Sequence, residues 1–230
     1  MENSFWQFIG KLGWAILFNI LFMITSLPLV TIGASTTALI TVMMQIAKGE
    51  GREHVKVYFR TFIQEFLRST VLWVITVVVM AIWYIDLYYF WKLGTTYGKV
   101  IFGVTLVLAI ITMMMILTMF AVMSKFEGSL KETFQRSRYI LFHDFIWIFI
   151  DLLITMLLIC AVAIGILRIN FWLSYMFSWM IIMVFGLCGL IHGYIMNFIF
   201  YKYYEEEDEE DTSYEIPEDP FAKLRGEYKE

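Results

Sequence analysis

Two ionisable side chains stand deep inside apolar runs of this sequence: Asp151, within Phe142–Leu167, and His192, within Phe171–Phe200. A charge in hydrocarbon is expensive unless it is paired or hydrated, so such residues are functional candidates by default. If the first run begins as a helix near Phe142, a rise of about 1.5 Å per residue puts Asp151 about 13 Å along it. His192 lies about nine residues before the end of the next run, which brings it to nearly the same depth on an antiparallel neighbour. A carboxylate and an imidazole at matched depth suit a proton relay or a polar clamp, and equally a structural hydrogen bond that fixes helix rotation. Asp86 and Asp144 lie nearer the ends of their runs, where hydration is cheap.

A second group is short and hydroxyl-rich. Thr31, Ser35, Thr36 and Thr37, with Thr41 beyond them and Asn19 one helix earlier, flank a helix break at Pro28. They suit the polar lining of a cavity beside a broken helix, as in transporters, and they also suit close helix packing. Gly186, Gly189 and Gly193 give the last run a small-residue stripe, which predicts a close helix contact within the bundle or across a dimer. The sequence holds no phosphate loop, nucleophile elbow, metal spacing or dinucleotide fingerprint. The expectation is therefore a protein that is not an enzyme, with no catalytic residues, cofactor or metal.

Membrane helices must position these groups. The chain is 60% hydrophobic and 17% charged, with a mean hydropathy of +0.71, where a soluble domain is roughly half apolar and a quarter charged. A hydrocarbon core of about 30 Å takes roughly 20 helical residues to cross. The apolar blocks predict an all-α, polytopic transmembrane helical bundle in residues 1–204. It has about six helices, near 12–30, 33–47, 69–91, 100–123, 142–167 and 171–200. Pro28 lacks an N–H donor and ends or kinks the first of them. The 33–47 stretch is either a short span or a re-entrant half-helix, and the spans number five if the first hairpin is not a full double crossing. Cys160 and Cys188 read as buried thiols.

Charge supplies the orientation. The formal charge is −4, yet residues 1–204 carry 14 basic and 9 acidic residues, because twelve acids lie from Glu205 onward. Basic residues concentrate on the cytoplasmic side. Placing both termini in the cytoplasm puts eleven of the fourteen inside and leaves Lys92, Lys99 and Arg168 outside. The Pro28 turn then falls on the outer side. Residues 52–68 and 126–138 repeat aromatic and aliphatic residues at helical spacing among Lys and Arg, as helices lying on the inner leaflet do. Seven consecutive acids, Glu205–Asp211, open a 205–230 tail too polar to fold and expected to be disordered.

The run SLPLVTIGASTTAL at Ser26–Leu39, preceded by Asn19 and followed by Phe59-Arg60-Thr61-Phe62 and Phe66, resembles the YesL-like family of bacterial membrane proteins of unknown function. The resemblance implies a small multi-span protein of the bacterial plasma membrane, encoded in many cases beside carbohydrate ABC-transporter components. It supplies no catalytic residues. Where the family's phenylalanine-rich loop usually has an asparagine before the later Phe, this chain has Glu65. The expected partners are the lipid bilayer and carbohydrate ABC-transporter components, not nucleic acid, and a homo-oligomer stays open. Two functions follow: an accessory or regulatory component of carbohydrate uptake, or a small proton- or ion-coupled carrier or channel.

Overall fold

The computed structural model describes residues 4–49, 51, 53–168 and 184–202. Residues 171–183 of the last expected helix and the 205–230 tail lie outside the described residues. The described residues are helical, with no strand among them. The bundle belongs to a unit comprising Met1–Asn197, and Phe198–Glu230 forms a second unit. The helices are α1 (Ser4–Thr25), α2 (Ile32–Lys48), α3 (His54–Gln64), α4 (Phe66–Leu93), α5 (Thr96–Lys125), α6 (Leu130–His143), α7 (Phe145–Arg168) and α8 (Val184–Lys202). Five segments are long and apolar enough to cross a membrane: Leu29–Lys48, α4, α5, the Phe145–Ala163 part of α7, and α8. In α1 the apolar part is the shorter Ile9–Thr25.

Several boundaries differ from the sequence expectation, each for a local reason. The first helix starts at Ser4 rather than near Leu12 and stops at Thr25 rather than continuing to residue 30, because Pro28 cannot continue it. α2 closes on Gly49, whose φ of 76° is the left-handed conformation that ends helices. The expected 52–68 surface helix is two elements, since the chain bends at Glu65 and Phe66–Arg68 already belong to α4. α5 begins at Thr96 behind its cap, Thr95, which accepts the Gly98 N–H. The expected 126–138 helix is shifted to Leu130–His143 by a capping box. Ser129 accepts the Glu132 N–H, and its hydroxyl donates back to the Glu132 carboxylate.

α2 is the hub. It packs on α1, α3, α4 and α5, and Gly189 and Gly193 of α8 lie on it as well. Ala34, Ser35, Thr37 and Ala38 are buried, and the central core joins Leu39, Val42, Met43 and Ile46 to Phe18, Tyr58 and Leu190. Small residues permit this crowding. A Cβ on Gly33 would fall on the Ser69 carbonyl of α4.

The turn between α1 and α2 lies beside Trp73, whose indole donates to the Leu29 carbonyl at 3.0 Å. α4 continues for twenty residues past that point, about 30 Å at the helical rise. The apex is apolar and exposed, with Leu27 at 78% and Leu29 at 75%. Several of its carbonyls accept hydrogen bonds from within the bundle. Thr31 Oγ1 donates to the Thr25 and Pro28 carbonyls, Thr25 Oγ1 donates to Leu21, and Thr70 Oγ1 donates to Val30. Irregular backbone tolerates hydrocarbon only where such internal partners exist.

Candidate functional site

Asp151 and His192 meet. α7 carries the acid and α8 the imidazole, both are buried, and Asp151 Oδ2 lies 2.5 Å from His192 Nδ1. One proton serves both atoms: it sits on Nδ1 beside a carboxylate, or on the carboxyl beside a bare nitrogen. The outer atoms of the pair, Asp151 Oδ1 and His192 Nε2, have no hydrogen-bond partner among the described residues. His192 also borders a cavity of about 190 Å³ where five helices converge. Thr36 of α2 and Thr155 of α7 bring hydroxyls to it, and Phe22, Leu39, Ile40, Leu117 and Phe185 make it largely apolar. Thr155 reaches that wall because it stands one turn beyond Asp151 on the same face of α7.

Further polar ties fix α8. Asn19 Oδ1, fully buried on α1, accepts the Gly186 N–H at 3.1 Å. Asn197 Nδ2 donates to the Met44 carbonyl at 2.7 Å, and Lys11 Nζ donates to the Ala47 carbonyl and to the Tyr194 hydroxyl. The glycine stripe makes this approach possible. A Cβ on Gly186 would land on the Ala15 carbonyl, Gly189 faces Leu39 and Met43, and a Cβ on Gly193 would sit 3.0 Å from the Met43–Met44 backbone. The three glycines therefore make contacts within the bundle.

The hydroxyls go to different places. Thr36 lines the cavity. Thr31 closes the Pro28 turn, Ser35 donates to Thr25 Oγ1 at 3.0 Å, and Thr37 shares a 2.7 Å hydrogen bond with Ser69 of α4. Cys188 is half-buried and borders the cavity, while Cys160, expected to be a buried thiol, is exposed on α7.

Sequence reasoning passed over Tyr58. It is fully buried on α3, stacks on Phe18, and its hydroxyl meets Thr25 Oγ1 at 2.7 Å. It stands one turn after His54 on the buried face of α3, whereas the Val55, Phe59 and Ile63 stripe is exposed. Burial pushes the Tyr58 phenol above its usual range, and burial pushes the His54 imidazole below its own. At the α3–α4 bend, Glu65 receives both Nη1 contacts of Arg68, at 3.0 and 2.8 Å, and Arg68 Nη2 donates to Thr133 of α6 at 3.3 Å. Burial raises the Glu65 pKa, and the opposing pull of Arg68 is the smaller effect.

Residues 15–87 match the family model of DUF624, described as a protein of unknown function. That segment holds the second half of α1, the Pro28 turn, α2, α3 and most of α4, and it stops well before Asp151 and His192. No curated protein matches the chain, and no solved structure does.

Proposed function

We propose that the chain is a non-catalytic, multi-pass plasma-membrane protein that serves carbohydrate uptake as an accessory or regulatory component, with both termini cytoplasmic. The observation that carries this reading is that buried polar groups of different helices hydrogen-bond across the bundle. Asp151 meets His192, Asn19 holds Gly186, and Asn197 holds Met44. Groups paired in this way fix the rotation and register of helices, whereas a conducting path needs groups that exchange partners with what passes. The carbohydrate link rests on the resemblance of Ser26–Leu39 and the phenylalanine-rich loop to the YesL-like family. The orientation rests on the eleven-to-three distribution of basic residues. The Glu205–Asp211 run provides an acidic segment for a cytosolic partner. Affinity purification from native membranes should recover a carbohydrate-transporter component, and a deletion strain should take up sugar more slowly. Recovery of the chain alone, with unchanged uptake, would refute the proposal.

A small proton- or ion-coupled carrier is the second reading. It is favoured by the unpartnered outer atoms of the Asp151–His192 pair and by the cavity that His192 borders. This reading requires a flux that Asp151→Asn alters.

A further inference from the structure

The contact between α7 and α8 uses only one side of the His192 ring. Asp151 Oδ2 and His192 Nδ1 share one proton across 2.5 Å. Net charge in a dry interior is costly, so the pair is most stable in a form that carries none. There are two such forms, imidazolium beside carboxylate and imidazole beside carboxylic acid. Both keep the other ring proton on Nε2. That nitrogen is buried and has no hydrogen-bond partner among the described residues, and a buried donor left unpaired is a cost that an acceptor removes.

The cavity that His192 borders has room for such an acceptor. Its volume is about 190 Å³, and an apolar protein cavity of about 150 Å³ takes up benzene, so one substituted ring or a short branched chain fits. Phe22, Leu39, Ile40 and Leu117 make its walls apolar, and the described residues that line it include no Lys, Arg, Asp or Glu. Thr36 already gives its hydroxyl proton to the Ile32 carbonyl at 2.7 Å, so it is no rival donor. Phe185 both lines the cavity and is 43% exposed, which brings that wall to the outer surface of α8. A charged ligand would find no counter-charge on these walls, and a pure hydrocarbon would leave the Nε2 proton unanswered.

We propose that this cavity binds a neutral, membrane-soluble molecule through a carbonyl oxygen that accepts from His192 Nε2–H. The assignment is independent of the carbohydrate reading. A lipid ester and a free carbonyl compound offer the same oxygen, and nanodiscs made with ester-linked or ether-linked phosphatidylcholine separate them, because the ether lipid has no carbonyl. The full chain carries ¹⁵N-labelled histidine, and the probes are acetophenone and ethylbenzene, alike in shape but for the oxygen. In ether-lipid nanodiscs acetophenone should bind about tenfold more tightly than ethylbenzene and should shift the His192 Nε2 resonance, while those of His54 and His143 stay in place. The same shift in ester-lipid nanodiscs before any probe is added assigns the oxygen to the lipid. A shift only after acetophenone assigns a free compound. Asp151→Leu/His192→Leu removes the donor together with its partner and should bring the two probes to equal affinity. If circular dichroism shows that this variant has lost helix, Leu117→Phe replaces it: by filling the cavity while leaving the pair, it should abolish the acetophenone shift. Equal binding of the two probes to the wild-type chain, or a His192 resonance that neither acetophenone nor the ester lipid moves, overturns the proposal.

Discussion

Replacing Asp151 by Leu leaves the His192 imidazole facing carbon, and replacing His192 by Leu strands the carboxyl. Both side chains are nearly inaccessible, at 2% and 8% exposure, and they share a 2.5 Å contact. Removing one partner of a buried pair costs about 3 to 5 kcal/mol, while replacing both with apolar side chains can be close to neutral. Neutral interhelical hydrogen bonds average about 0.6 kcal/mol in membranes. The pair should therefore show a coupling of at least about 1 kcal/mol, with single variants costing about 3 kcal/mol each. The assay is a double-mutant cycle, with reversible unfolding of the full chain in mixed micelles followed by far-ultraviolet circular dichroism. The double variant should be clearly more stable than the sum of the singles allows. Additivity within about 0.5 kcal/mol, the limit for independent sites, would refute the pairing.

Gly33→Ala should destabilise by about 1 to 3 kcal/mol because its methyl meets the Ser69 backbone. Gly13→Ala, with nothing within 4 Å of its Cβ, should be neutral or stabilise by up to about 1 kcal/mol, and the same unfolding assay reads both. Since burial raises the Glu65 pKa, the folded chain binds that proton more tightly than the unfolded one. Its contribution is full below the unfolded value of 4.5 and is lost as pH rises through the raised folded value. A Glu65→Gln variant should flatten the fall in melting temperature over that window, and an unchanged slope would exclude Glu65 as its source. A Leu29→Cys variant should resist a membrane-impermeant maleimide in intact cells while Tyr97→Cys reacts. Labelling of both would place the Pro28 turn in water.

The spans were legible because about 20 apolar residues have few other uses. Pro28 announced its break, since no side-chain environment restores a missing N–H. The matched depth of Asp151 and His192 followed from helical rise alone. The central place of α2 did not follow, because Ala34, Ser35, Thr37 and Ala38 look mild in hydropathy, and their burial depends on which helices approach them. The fate of each hydroxyl was hidden for the same reason: Thr37 is committed by Ser69 and Ser35 by Thr25, partners that only the three-dimensional packing selects. The bend at Glu65 was invisible because apolar residues continue on both sides of it. The Ser129–Glu132 capping box was present in the sequence, and it set the α6 start that periodicity alone misplaced.

The central claim, that Asp151 and His192 hold helices together rather than conduct, is tested most directly by flux through the purified chain. In proteoliposomes carrying an imposed pH gradient, with proton entry and labelled-sugar uptake followed together, wild-type protein should match protein-free vesicles, and Asp151→Asn should change nothing. A proton or sugar flux above that background which Asp151→Asn abolishes would contradict the account and establish the carrier in its place.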